Sequence, residues 1–100
     1  MEERRFQVSL IKEIKDRLPG CMVLKNDSSY IQGIPDLTVF FGKLWAVLEC
    51  KKDGKASRRP NQVYYVDKMN DMGFASFIWP EVKDRILDEL VRYMKDGENS

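Results

Sequence analysis

The sequence GIPDLTVFFGKLWAVLECK, residues 33–51, contains two short apolar runs separated by Gly42 and Lys43. Runs of this length that are rich in Val, Phe, Leu and Trp, with a turn signal between them, are typical of a β-hairpin. The predicted strands are 36–41 and 44–51. Because both faces of the second strand are apolar, we expect it to lie inside a sheet that is covered on both sides.

Charged residues stand at the end of this hairpin that lies opposite the turn. Side chains alternate between the faces of a strand, so Glu49 and Lys51 share one face and Cys50 lies on the other. Asp36 begins the neighbouring antiparallel strand and should lie beside the end of the second. The pattern therefore places two carboxylates and an ammonium at one edge of an apolar sheet. The alternative is a hairpin with ordinary polar ends, since this spacing also arises by chance.

Such a group suits metal-dependent hydrolysis of a phosphodiester bond. Mg²⁺ is usually held by a few carboxylates and keeps several waters. The metal would polarise a phosphoryl oxygen and lower the pKa of a bound water. Lys51 would position the attacking water and offset charge in the transition state. The chain contains no histidine, which excludes Ser-His triads and nucleases that hold their metal through histidine.

The elements around the hairpin indicate an α/β fold with the order αβββαβα. The last strand follows a helix and can run parallel to the second hairpin strand through a right-handed crossover. The expected architecture is a small mixed β-sheet flanked by helices, in one domain over residues 1–100 with residues 96–100 as a frayed tail. The helices are predicted at 2–18, at 60–72 and from 80 onward, and the other strands at 21–25 and 74–79.

Among the acids of the first helix, Glu3 has an unusual position. At about 100° per residue it lies roughly 15–20° from the centre of the apolar stripe, whereas Glu2 and Glu13 lie about 90° or more away. A carboxylate on that stripe is aimed at the sheet edge, so Glu3 is a candidate metal ligand. The alternative is favourable placement near the positive end of the helix, which Glu2 also satisfies.

The segment that follows Lys51 is basic. Four cations stand against one acid, Asp53, and Gly54 and Ser57 favour a loop. Runs of charged residues are usually solvated surface. Because this segment directly follows Lys51, contact with DNA phosphates is the favoured interpretation. Gln62, in the first turn of the next helix, can hydrogen-bond a phosphate, a metal-bound water or Lys51, although a surface glutamine is the alternative. The predicted DNA-binding residues are Lys52, Lys55, Arg58 and Arg59.

Two motifs in this chain resemble a known nuclease superfamily. Gly33-Ile34-Pro35-Asp36 followed by Glu49-Cys50-Lys51 resembles the PD-(D/E)XK pattern. The helix-borne Gln62 beyond a basic loop, and the later Gly73 before a strand, make the chain similar to the VRR-NUC branch. The small stand-alone, phage-type members of that branch are similar to Holliday-junction resolvases. The resemblance extends from Glu3 to about Trp79 and implies a restriction-endonuclease-like core.

The resemblance also implies a set of site residues. The metal, Mg²⁺ or Mn²⁺, would be held by Asp36, Glu49 and the backbone carbonyl of Cys50. Glu3 would complete the metal shell, in a Glu-x-x-hydrophobic-Gln setting that here includes Phe6 and Gln7. The residues expected to act in catalysis are Asp36, Glu49, Lys51 and Gln62.

Together these expectations predict that the protein is a metal-dependent, structure-selective DNA endonuclease. Resolution of four-way junctions is the leading predicted activity. The first alternative is a nuclease for flaps, nicks or single strands. The second, from a different class, is a catalytically silent nucleic-acid-binding domain. A binding module has no need for clustered acids near phosphates, which favours an enzyme.

Composition bears on the partners of the chain. The formal net charge is only +1, so one copy lacks the basic field of a strong DNA binder. Cutting a four-way junction needs two symmetry-related sites, which predicts a homodimer. The aromatics Tyr30, Phe41 and Trp79 are candidates for its interface.

The sequence also carries an expectation about cellular location. No apolar stretch approaches the ~20 residues of a membrane helix, and the first residues lack the apolar core of a signal peptide. The expected location is cytoplasmic, in the host-cell cytosol if the protein is phage-encoded, without a membrane partner.

Overall fold

The predicted hairpin lies inside a four-stranded mixed sheet. In the computed structural model, which describes residues 2–98, the strands have the spatial order β1-β2-β3-β4. β1 pairs with β2 and β2 with β3 in antiparallel fashion, while β4 is parallel to β3. The strands are β1 (Met22–Lys25), β2 (Leu37–Phe41), β3 (Leu44–Cys50) and β4 (Phe74–Ile78), and the helices are α1 (Glu3–Arg17), α2 (Pro60–Met72) and α3 (Lys83–Glu98).

The predicted α/β fold and the element order αβββαβα are confirmed. The hairpin turns at Gly42, whose φ of 60° is one that glycine adopts without strain. Its register places Leu37 opposite Leu48 and Phe41 opposite Leu44. Asp36 and Glu49 are the next residues after the Leu37–Leu48 pair, at the end of the hairpin away from the turn. They lie beside each other, as the sequence predicts.

One face of the sheet is covered by α1 and α3. The two helices bury apolar stripes against alternate residues of the strands. Ion pairs join their outer sides, with Lys83 Nζ 2.7 Å from Glu13 Oε1 and Arg17 Nη1 2.7 Å from Asp88 Oδ1. The apolar side chains buried on this face include Phe6, Leu10, Ile14, Leu37, Val39, Leu48, Ile78, Leu87, Leu90 and Met94.

The opposite face is covered by α2 over only half its width. Val66 of this helix packs with Val47 of β3 and Ala75 of β4 in a small second core. On β1 and β2 the same face carries the side chains of Met22, Leu24 and Phe40, which are 59%, 44% and 41% exposed. An apolar strip of sheet therefore faces solvent beside α2.

The C-terminal region differs from expectation at both ends of its helix. Residues 96–98 of the predicted frayed tail 96–100 continue α3, because Gly97 lies so close to Leu44 that a β-carbon there would collide with it. Residues 99 and 100 lie outside the described part of the chain. The helix predicted from residue 80 is preceded by a 3₁₀ turn, Pro80–Val82.

Two of the three aromatics expected at an interface are in contact within the chain. Phe41 packs against the core beneath α1 and α3. The guanidinium of Arg58 lies 5.1 Å from the centre of the Trp79 ring. Tyr30 is 85% exposed. No described helix is long and apolar enough to cross a membrane.

Candidate functional site

The two carboxylates of the hairpin meet at the end of β3. Asp36 directly precedes β2, and its Oδ2 accepts a hydrogen bond of 2.9 Å from the backbone N–H of Cys50. This bond holds the Asp36 side chain across the end of the neighbouring strand. Glu49 is only 3% exposed, and its Oε1 has no hydrogen-bond partner among the described residues. A buried carboxylate oxygen without a partner is costly and points to a missing ligand.

Gln62 connects Glu49 to Lys51. Its Nε2 donates to Glu49 Oε2 at 2.9 Å, and its Oε1 accepts from Lys51 Nζ at 2.7 Å. The same Oε1 accepts a 3.1 Å bond from the backbone N–H of Arg59 at the start of α2. One amide thus orients the carboxylate and the ammonium together, so the surface-glutamine alternative is wrong.

Lys51 is held from a second direction by the basic loop. Its Nζ donates to the backbone carbonyl of Ser57 at 2.9 Å, and its backbone N–H donates to the carbonyl of Ile78 at 2.9 Å. Lys51 is only 8% exposed. Its Nζ lies 3.9 Å from Glu49 Oε2, which is too long for a hydrogen bond. The ammonium is therefore fixed beside the carboxylates without neutralising them fully.

Burial changes the protonation of both acids. Removal from water and, after it, the negative charge of Asp36 raise the pKa of Glu49 from its ordinary 4.5 to about 8, against the opposing charge of Lys51. Burial likewise raises the pKa of Asp36, although the Cys50 N–H bond and Lys51 offset part of this rise. Two buried acids that resist ionisation together are the pattern expected where a cation belongs.

The residues present fit a hard divalent cation. Asp36 and Glu49 offer carboxylate oxygens, and Mg²⁺ is often held by one or two carboxylates with waters completing its shell. The partnerless Oε1 of Glu49 is the observation that favours a cation here. The described residues contain no cluster of three or more acidic, histidine or cysteine side chains arranged to hold a metal, so waters or substrate oxygens would supply the remaining ligands.

Glu3 and Cys50 are the other predicted ligands. Glu3 is exposed at the start of α1 and lines the same cavity as Asp36 and Glu49, and its charge contributes to the raised pKa of Glu49. The Cys50 thiol points to the opposite, fully buried face, so only the backbone of this residue lies near the site. Ligation by Glu3 and by the Cys50 carbonyl stays a prediction.

A polar groove runs across the carboxylates. Two cavities of about 420 and 450 Å³ meet at Asp36, Glu49, Arg59 and Gln62, which line both. The second cavity, on the side of the basic loop, is also lined by Lys51, Lys52 and Ser57. The first, which we call the loop pocket, is also lined by Ser28, Gln32 and Asn61.

The four cations of the basic loop are not placed alike. Arg59 and Lys52 line the groove. Arg58 turns toward the other side of α2, where its guanidinium lies 4.5 Å from the centre of the Phe77 ring. Lys55 is exposed in the turn that the side chain of Asp53 organises. Of the four cations, Arg59 and Lys52 therefore lie at the groove, and binding of DNA by any of the four stays a prediction.

Several residues near the site carried no clear signal in the sequence. The Ser57 carbonyl is a backbone group that any residue type provides. Asn26 holds the loop before β2, because its Nδ2 donates to the Pro35 carbonyl at 2.9 Å and to Thr38 Oγ1 at 2.8 Å. Gln32 and Asn61 line the loop pocket at the place where Gly33 closely approaches Asn61 of α2. A run of polar residues between strands indicates only a loop.

Comparisons with known proteins add one finding. No family model matches the sequence, and no curated protein matches it. A solved structure described as "VRR_NUC domain" is similar to this chain with a TM-score of 0.68 and 24% sequence identity. The similarity covers 91% of this chain and 95% of that one. The fold implied by the motif resemblance is therefore confirmed.

Proposed function

We propose that this protein is a metal-dependent DNA endonuclease. The observation that carries the proposal is the pair of buried acids, Asp36 and Glu49, with a partnerless carboxylate oxygen beside a fixed lysine. The groove across them is lined by Arg59 and Lys52 and is open to a phosphate chain. The likeness of the fold to a VRR_NUC domain supports the same reading.

Each side chain has a distinct part in this proposal. Asp36 and Glu49 hold Mg²⁺ or Mn²⁺, with Glu3 and the Cys50 carbonyl as further ligands. The metal supplies Lewis acidity toward the scissile phosphate and toward water. The Lys51 ammonium offsets the negative charge that develops on the phosphate in the transition state. Gln62 positions Lys51 and Glu49 through its two hydrogen bonds.

Resolution of a four-way junction is the finer part of the proposal. It requires paired incisions and hence two copies of a chain that has one such site. The apolar strip formed by Met22, Leu24 and Phe40 is suited to bury against a second copy, because exposed apolar patches mark interaction surfaces. A flap, nick or single-strand nuclease is the second candidate, favoured by the polar loop pocket that opens next to the carboxylates.

The test is a cleavage assay on matched junction, flap, duplex and single-strand DNAs, with Mg²⁺, Mn²⁺ or EDTA. We expect metal-dependent cutting, and a loss of at least about 100-fold for Asp36→Asn, Glu49→Gln and Lys51→Met, because the first two would weaken the hold on the metal and the third removes the charge that acts on the transition state. Glu3→Gln tests the third acid, with Glu2→Gln as its control. Glu13 is unsuitable as a control, since it pairs with Lys83 and Arg17.

The outcomes separate the candidate functions. Undiminished cutting by any of the three main variants would remove that residue from the mechanism. Absence of cutting on all four DNAs, with binding retained, would favour the catalytically silent binding domain. Faster cutting of flaps than of junctions would favour the second nuclease reading.

A further inference from the structure

The loop pocket lies against the carboxylates but differs in chemistry from the rest of the groove. Beyond the shared residues it is lined by the uncharged polar side chains of Ser28, Gln32 and Asn61 and by Ile34. The cavity on the other side of the acids carries Lys51 and Lys52. Ammonium groups suit phosphates, whereas amides, a hydroxyl and an apolar side chain suit a base and its sugar. The groove is therefore divided into a phosphate side and a nucleoside side.

The wall of the loop pocket is built by close contact between the loop and α2. Gly33 has a φ of +91°, and a β-carbon there would lie 2.9 Å from the carbonyl carbon of Asn61. Asn26 fastens the loop to β2, and the Asp27 carboxylate accepts a 2.9 Å bond from the Ser29 N–H. The loop that forms this wall is thus fixed by its own hydrogen bonds and by its contact with α2. The pocket has a volume of about 420 Å³ and is also lined by Asp36 and Glu49.

The same loop presents an aromatic ring at its tip. Tyr30 is 85% exposed, the highest value among the exposed large hydrophobic side chains of residues 2–98. Its N–H donates to the Asp27 carbonyl at 3.2 Å, so an ordered turn supports the residue. Tyr30 lies two residues from Ser28 and from Gln32, which both line the pocket. An exposed aromatic side chain on a loop whose flanking residues line a polar cavity is suited to stack on a base.

We propose that the loop pocket receives one unpaired nucleotide next to the scissile phosphate, while Tyr30 stacks on the adjoining base. This inference rests on the proposed nuclease function and specifies its substrate. A paired base reaches a pocket at this depth only by leaving the duplex, which costs unstacking and unpairing energy. A nucleotide at a branch point, flap or single strand enters at less cost. The pocket would therefore select DNA by structure without reading its sequence.

Fluorescence of 2-aminopurine tests the proposal directly. The probe replaces the base next to the cut in a flap substrate, and the full-length protein is added in EDTA so that no cutting occurs. We expect the fluorescence to rise on binding because the base unstacks. The rise should be lost in Gln32→Ala and reduced in Tyr30→Ala. Tyr30→Phe should retain it, since the ring is kept. The matched control is Tyr64→Ala, an exposed tyrosine on α2 outside the pocket.

Cleavage with metal provides the second readout. Tyr30→Ala should cut the flap about 10-fold more slowly, within the range expected from loss of one base–aromatic stack. Replacing only the base that stacks on Tyr30 by an abasic site should bring the wild type down to the rate of the variant. Metal-dependent cutting by the wild type with no rise in fluorescence would overturn the pocket proposal and leave the nuclease intact. A rise without cutting of any DNA would support the pocket and overturn the nuclease function.

Discussion

At the scale of single residues, Glu49 combines burial, a neighbouring acid and an oxygen without a hydrogen-bond partner. Gln62 satisfies its other oxygen and connects it to Lys51. A side chain that bridges two buried charged groups has a large effect when removed, because both groups lose a partner; such losses cost about 1–3 kcal/mol or more. One amide therefore stabilises both the buried carboxylate of Glu49 and the ammonium of Lys51.

The raised pKa of Glu49 makes the stability of the metal-free protein depend on pH. Its folded-state pKa of about 8 exceeds the ordinary 4.5, so the folded protein binds this proton more tightly than the unfolded chain does. The contribution to stability is present below pH 4.5 and is lost as pH rises through about 8. In EDTA, we expect a lower melting temperature at pH 8.5 than at pH 6, and Glu49→Gln should flatten this difference.

Addition of Mg²⁺ provides the complementary measurement. A cation held at the proposed site would bind the ionised carboxylate and stabilise the folded state by mass action. The increase in melting temperature with Mg²⁺ should therefore be larger at pH 8.5 than at pH 6. An equal increase in Glu49→Gln would show that the cation binds elsewhere.

At the scale of elements, the basic loop and the start of α2 form one unit. Arg58 lies over the rings of Phe77 and Trp79, which fastens the loop to β4. Arg59 begins α2 and lines both cavities of the groove. The two adjacent arginines thus have the same charge but different surroundings. The contacts of Arg58 anchor the loop, whereas Arg59 lines the groove that we propose binds DNA.

This difference predicts different effects of the two arginines on DNA binding. Arg59→Ala should reduce the slope of log affinity against log salt by about 0.9, the value for one phosphate contact. Arg58→Ala should reduce the slope less and should lower the melting temperature, because an exposed cation–π contact contributes about 0.5–1 kcal/mol. Fluorescence anisotropy over a series of salt concentrations gives the slopes. Equal slopes for both variants and the wild type would indicate that the loop is ordinary solvated surface without phosphate contacts.

At the scale of the whole molecule, the sheet is covered unevenly. α1 and α3 cover one face, and α2 packs with β3 and β4 on the other. Cross-strand pairing puts Met22 beside Phe40 and Leu24 beside Thr38 on the uncovered part. Because this strip lies beside the second core, a partner seated there would extend an existing apolar layer. The strip replaces Phe41 and Trp79 as the candidate interface.

A homodimer through this strip is the prediction for the assembly. Light scattering at micromolar concentration without DNA should give twice the 11.7 kDa mass of the chain. Phe40→Glu should give the monomer mass, because a buried unpaired carboxylate would oppose association. Lys43→Glu, at the exposed hairpin turn, is the matched control and should leave the mass unchanged. A monomer mass for the wild type would contradict the dimer and disfavour paired incision.

Sequence and tertiary structure determined different parts of this protein. Alternating and helical periodicities identified the strands, the helices and the parallel crossover, because local backbone preferences and burial produce those patterns. Alternation also placed Glu49 and Lys51 on one face beside Asp36. Alternation and the position of Gln62 after the basic loop also allowed its contact with Lys51 to be predicted. The bond from Gln62 to Glu49, the pocket beside Gly33, the separate surroundings of Arg58 and Arg59 and the exposed strip at Phe40 came only from the tertiary structure. Each depends on contacts between segments distant in the chain, and residue spacing carries no record of which distant surfaces meet.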